Sequence, residues 1–434
     1  MEGKFMKKRI LSILSAVVLS TSLVLGGCSA NDEAQTEAGG KVELNFWYAF
    51  KDKIEANNQE LVKEFNESQD KIHVTAEYQG NYADLHAKTK TAYTAGEAPE
   101  VTIVEIASIQ EFAESGLLED LTPFVEKDKV DIEDYQPGLM ENSYVNDKLV
   151  AIPYLRSTPI LYMNATLLKE AGLDPSGPKN WEEFEEYCRK LSKDGVVGLT
   201  YPVYIWVAEG FLAQAGGGSM ISDDKTMSNV NTPEMVKSLE FVKKMSDEGI
   251  IKILPAGTEG NDKLKIDFKN QKTAMFFSST ADLTYNLQVA SESGFELNTA
   301  FMPSDVKAAV PTGGSNIVMT SGLSKEKQEA AWEFIKFMTD KERTEQASKN
   351  TGYLPTRISA VNSDTMQALY QEKPQFKVAV DQLQNAKGRP MVKSYSEIEK
   401  LIKESHERIL LQGADINTEL TKLDSDINKL LSEK

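Results

Sequence analysis

Arg156, Ser157 and Thr158 interrupt an apolar run, with Ala151, Ile152, Tyr154 and Leu155 before them and Ile160, Leu161 and Tyr162 after. A guanidinium beside hydroxyls is the chemistry of anion recognition. Pro153 and Pro159 flank the trio; each fixes φ and removes a backbone donor, and neither suits the middle of a central strand. The segment reads as a connection lining a cleft, or as a surface loop between two strands. Ser278, Ser279 and Thr280 end a second apolar run and open a helix. Capping accounts for one of these hydroxyls, and an anion on the free N–H groups would use the others. Gly313 and Gly314 begin a third run of this kind, where they permit close backbone approach to a ligand or only make a turn. Glu105 ends an apolar strand, so its carboxylate either pairs internally or meets a ligand hydroxyl. The aromatic stretch Tyr201–Trp206 could stack on a ligand or pack a core.

Bond-breaking chemistry has no comparable cluster. The three histidines, His73, His86 and His406, stand apart from any candidate nucleophile. Ser157 and Ser279 lack the glycine-flanked turn of a hydrolase. There is no phosphate-binding Walker motif and no GxGxxG after a strand. No Cys/His cluster has zinc spacing, so neither metal nor cofactor is expected. Scattered carboxylates could still serve a glycosidase, but the chain reads as a binding protein and not an enzyme.

The elements that must position these residues alternate. Val42–Tyr48 reads as a strand, apolar residues from Ala56 to Phe65 recur at helical spacing, and residues 72–78 alternate as a second strand. Tyr82 to Thr94 is helical, and residues 101–106 form a third strand. Strand, helix, strand within so few residues implies βαβ units and a largely parallel sheet. Asn180 caps a helix from Trp181 to Leu191, and Thr232-Pro233 opens another. Ser394-Tyr-Ser-Glu397 has the form of a capping box. From Ser324 on, the chain is nearly all helical.

The N-terminus predicts the compartment. Lys4, Lys7, Lys8 and Arg9 precede an apolar stretch, and Leu25-Gly26-Gly27-Cys28 follows. That order predicts a signal peptide over 1–27 with Cys28 lipidated, leaving the protein anchored on the outer face of the cell membrane. Residues 28–40 have the composition of a polar tether. From Cys28 onward the chain carries 44 basic against 65 acidic residues, a formal charge of −21. Nucleic acid is excluded as a partner on that balance. Cys188 has no partner once Cys28 is acylated, and its helical spacing among apolar residues predicts a buried small side chain.

Together these residues resemble the extracellular solute-binding lipoproteins of ATP-driven importers, of the maltose-binding-protein type. The resemblance rests on the early Phe46-Trp47 strand, Gly96-Glu-Ala-Pro99, Pro159-Ile-Leu-Tyr-Met-Asn164, Leu168-Lys-Glu-Ala-Gly-Leu173, Trp181-Glu-Glu-Phe184, Phe268-Lys-Asn-Gln-Lys-Thr-Ala-Met275 and Ala331-Trp-Glu-Phe-Ile-Lys-Phe337. It implies a two-lobed α/β fold with three crossings near 154–157, 273–277 and 315–319. The lobes would be 41–154 with 275–317, and 155–274 with 318–434. It also implies a monomer that hands a small molecule to membrane permease subunits.

The glycerol-3-phosphate-binding branch is matched more closely, at Gly80-Asn-Tyr82, Glu105, Ser157-Thr-Pro159, Ser278-Ser279, Gly313-Gly314, Thr351-Gly-Tyr-Leu-Pro355 and Lys387-Gly-Arg389. By that resemblance Tyr82, Ser157, Ser279, Gly314, Tyr353 and Arg389 take a phosphate, and Glu105 the polyol hydroxyls. Two departures stand out. The branch's tryptophan pair is reduced to Trp206 alone, and Arg156 adds a second cation. The implied ligand is glycerol-3-phosphate, a glycerophosphodiester or another phosphorylated polyol, with an oligosaccharide as the alternative.

Overall fold

The computed structural model describes residues 40–433. The segments expected as signal peptide and tether, residues 1–39 with Cys28, lie outside the described residues.

Alternating apolar strands and amphipathic helices fold into two five-stranded sheets. The first runs in the order Ile72–Tyr78, Val42–Tyr48, Val101–Glu105, Gly313–Met319, Ile152–Ser157. The second runs Leu297–Ala300, Pro159–Asn164, Thr273–Ser279, Val197–Pro202, Ile251–Leu254. In each sheet one strand opposes the other four: Gly313–Met319 in the first and Pro159–Asn164 in the second. Strands buried on both faces explain the continuous apolar runs, because helices cover both sides of such a sheet. Phe46, Ile103, Ile317 and Phe334 belong to the core of the first half; Leu161, Phe184, Met275 and Phe277 belong to that of the second.

The two prolines find the places strands allow. Pro153 lies on the edge strand of the first sheet, opposite Asn316, where the register shifts. Pro159 is the first residue of its strand. Edges, bulges and first positions are where a missing N–H costs no ladder bond. Thr158 is thus the one residue between the two sheets.

Strand pairing redraws the expected partition. Thr273–Ser279 lies wholly in the second sheet and Gly313–Met319 wholly in the first, so neither strand is itself a crossing. Residues 275–300, expected with the first half, pair with the second. The helix Lys325–Met338, expected with the second half, packs its Phe334 and Ile335 on the first core. The chain passes between halves at Thr158, between Ala300 and Gly313, and between Tyr353 and Leu354, which belong to different cores. Apolar runs alone do not say which sheet a strand joins, and this was the source of the misplacement.

Caps follow the expected chemistry with one exception. Asn180 accepts from the Glu183 N–H at 2.9 Å and Thr232 from Met235 at 3.3 Å. Ser394 makes no side-chain cap bond, so the capping box at 394–397 does not form. Cys188 is buried, as expected of a small apolar side chain.

Candidate functional site

Where the sheets meet, Arg156 is fully buried, with 0% of its surface exposed. Its Nε donates to the Gly313 carbonyl at 3.0 Å, Nη1 to Asn316 Oδ1 at 3.1 Å and to the Leu139 carbonyl, and Nη2 to Thr312 Oγ1 at 3.1 Å. All four acceptors are neutral. Among the described residues no carboxylate pairs with this guanidinium. Burial therefore pulls its pKa down to about 10, against the upward pull of Glu105, Tyr82 and Glu141. A buried cation with only dipoles around it is costly unless an anion completes it. Arg156 was expected among the ligand-facing residues; every bond it makes among the described residues goes to a protein acceptor.

Neutral hydroxyls lie on the strands and turns next to Arg156. Ser157, opposite Gly313, is buried, and its hydroxyl makes no hydrogen bond among the described residues. Ser315 Oγ is buried without a partner, as is Thr280 Oγ1. The Tyr82 phenol lies beside Ser315 and Tyr353, and burial raises the pKa of both phenols. Ser279 caps the short turn after its strand, accepting from the Ala281 N–H at 3.1 Å, which leaves its O–H free to donate. Gly314 pairs with Arg156 at φ +88°; a Cβ there would sit 2.0 Å from the Leu155 carbonyl oxygen. Only glycine lets the two strands approach so closely.

The second group is anionic. Arg389, on the irregular 388–390 segment, donates from Nη1 to Glu105 at 3.0 Å, and from Nε and Nη2 to the two oxygens of Glu209 at 2.8 and 3.2 Å. Glu105 also accepts from the Ala107 N–H at 3.0 Å. Burial raises the Glu105 pKa to about 7; Arg389 opposes this, and Glu399 and Glu209 add to it. Burial likewise raises the Glu209 carboxyl above its usual range. Glu105 thus both pairs internally and borders the Arg156 group, whose cation feels its charge.

The aromatic stretch divides. Tyr201 and Pro202 end a strand, and Trp206 lies in the first turn of the Ile205–Gln214 helix, not in a loop. Trp206 is buried against Gly313, and its indole N–H donates to the Thr312 carbonyl at 3.0 Å. Tyr204 keeps 43% of its surface exposed beside Trp206 and is the ring available to stack.

The junction therefore collects Tyr82, Glu105, Arg156, Ser157, Trp206, Ser279, Gly314, Tyr353 and Arg389. Tyr204, from the aromatic stretch expected to stack or to pack, joins them, and Glu209 and Ser315 join them unforeseen. Glu209 carried a readable signal: it is the lone charge in a mostly apolar helix. Among the described residues no group of His, Cys, Asp and Glu could hold a metal ion. Nor is any helix among them long and apolar enough to cross a membrane.

Glu105 makes stability depend on pH. The folded group keeps its proton in a range where an unfolded glutamate, near 4.5, has lost it. Its contribution is therefore full below about 4.5 and is lost as pH rises through about 7. Thermal unfolding of the ligand-free protein from pH 5 to 8 should show wild type losing ground to Glu105→Gln, on the order of 1–3 kcal/mol across the range. A constant difference would show that Glu105 does not titrate there.

The sequence model of bacterial extracellular solute-binding proteins matches residues 60–378. The sn-glycerol-3-phosphate-binding periplasmic protein UgpB of Escherichia coli O1:K1 is 24% identical over 392 residues, covering 86% of each chain. That of Salmonella typhimurium is 25% identical over 367 residues, covering 81% of this chain and 82% of its own. Among solved structures, UgpB from Mycobacterium tuberculosis in complex with glycerophosphocholine superposes with a TM-score of 0.80 at 25% identity, covering 90% of this chain and 98% of that one. Lmo0181 from Listeria monocytogenes, in complex with cycloalternan, superposes with a TM-score of 0.80 at 21% identity, covering 91% and 100%. The two sheets thus belong to a two-lobed periplasmic-binding-protein fold.

Proposed function

This chain belongs to the bacterial extracellular solute-binding proteins of ABC importers, and we propose that it captures a phosphorylated polyol between its lobes. The ligand is glycerol-3-phosphate or a glycerophosphodiester, delivered to a membrane permease by a monomer anchored through Cys28. Relatives of the chain are substrate-binding proteins and not enzymes. The observation that carries the reading is Arg156: a fully buried cation with neutral partners only, beside serine and phenol hydroxyls of which Ser315 is unpaired.

In this reading the phosphate supplies the missing counter-charge. Tyr82, Ser157, Ser279, Ser315 and Tyr353 donate to its oxygens, with the Gly314 N–H. Hydroxyl and N–H donors solvate an anion without adding charge of their own. Glu105 accepts from the polyol hydroxyls and Tyr204 covers the carbon chain. Arg389, expected at the phosphate, is already held by two carboxylates, so the phosphate's charge falls to Arg156. Hinge closure brings donors from both lobes onto one ligand.

Ser157→Ala and Ser315→Ala should each weaken binding of a glycerophosphodiester by about 1.5 kcal/mol or more in calorimetric titration, since each removes a bond to a charged group. Unchanged affinity in both variants would remove the phosphate from this group of hydroxyls.

A further inference from the structure

We infer that Glu209 sets which phosphate esters the site accepts, selecting singly charged phosphodiesters over doubly charged monoesters. The inference deepens the phosphate reading above and rests on it.

Glu209 is 6% exposed and belongs to a helix whose other residues are uncharged. Packing does not ask for a carboxylate there. What the carboxylate does is grip Arg389 along one edge, at 2.8 and 3.2 Å, while Glu105 takes the next nitrogen at 3.0 Å. Carboxylate on two sides more than balances the guanidinium before any ligand arrives. The Tyr395 ring lies 5.2 Å from the same cation, and Glu399 adds its negative charge to both carboxylates.

Arg156 is thus the cation at the junction that no carboxylate contacts, while Glu105 and Glu209 leave an excess negative charge around Arg389. One negative charge on the ligand matches Arg156. A phosphodiester carries one. A phosphate monoester near pH 7.5 carries almost two, because its second proton leaves near pH 6. The surplus charge would be buried near Glu105 and Glu209 without a partner, where an unpaired ion is most costly. Replacing Glu209 by an uncharged isostere removes one negative charge from the junction, leaves Arg389 balanced by Glu105, and so lessens the repulsion that the second charge of a monoester meets.

The test is calorimetric titration of wild type and Glu209→Gln at one ionic strength near pH 7.5. The two ligands are glycerol-3-phosphate and glycerophosphoglycerol, a diester whose second alcohol is neutral. Wild type should prefer the diester by about tenfold or more, and Glu209→Gln should narrow or reverse that ratio by a similar factor. Equal affinity of wild type for the two esters overturns the inference and leaves the phosphate reading standing. So does an unchanged ratio in the variant. Wild type binding neither ester overturns the phosphate reading and this inference together. The wild-type ratio needs no variant, so a Glu209→Gln protein that fails to fold does not shield the inference.

Discussion

Arg156→Met lowers affinity for a glycerophosphodiester by about a hundredfold or more and removes about 3 kcal/mol of stability. The two losses have different origins. Four acceptors surround the guanidinium: the carbonyls of Leu139 and Gly313, Asn316 Oδ1 and Thr312 Oγ1. Left without a donor, each buried acceptor costs about 1–3 kcal/mol. The removal of a desolvated cation offsets part of that sum, because burial already opposes its charge. The affinity loss comes from the charge alone. Arg156→Lys separates the two effects: it keeps a cation but cannot reach all four acceptors, so stability should fall while part of the affinity survives. Calorimetry and thermal unfolding on both variants read the difference. Full affinity in Arg156→Met, with stability reduced, would make the arginine a structural tie and nothing more.

Gly314→Ala should cost about 3 kcal/mol or more of stability and abolish measurable ligand binding. The φ of +88° already disfavours any side chain. The added carbon would lie 2.0 Å from the Leu155 carbonyl oxygen and 2.9 Å from the Arg156 Cα. Both are backbone atoms of the facing strand, so no rotamer change relieves the clash. The strands must part, and they part where Arg156 and Ser157 are held. Gly216→Ala is the control: its φ is +101°, but nothing lies near the new carbon. It should cost only about 1–2 kcal/mol and leave binding intact. Similar melting temperatures for the two variants would mean that the close approach at Gly314 carries no weight.

Much of this architecture was legible because it rests on local rules. Asn180 and Thr232 cap helices for the reason short polar side chains do so elsewhere. The strand Ile72–Tyr78 falls where residues 72–78 alternate. The Arg156-Ser157-Thr158 interruption marked the junction because polar groups in an apolar run need a purpose. What stayed hidden was long-range. Pairing decided that Thr273–Ser279 joins the second sheet, and no local pattern encodes a partner more than a hundred residues away. Arg389 looked like a free cation because its partners, Glu105 and Glu209, are 284 and 180 residues distant in sequence. Arg156 looked exposed because it follows a proline-broken strand, yet four acceptors fold over it. Trp206 was expected to cover a ligand; instead Gly313 leaves room for its ring, and Tyr204 takes the open position.

The most direct measurement is calorimetric titration of the wild-type chain from residue 29 onward with three compounds: glycerophosphocholine, glycerol and maltotriose. The phosphate reading predicts micromolar or tighter binding of the first and none of the others, since a buried, unanswered guanidinium discriminates against neutral ligands. Binding of maltotriose without the phosphate ester would contradict it. The lobes and the transport role would then stand, but Arg156 and its hydroxyls would serve to join the two sheets and not to hold an anion.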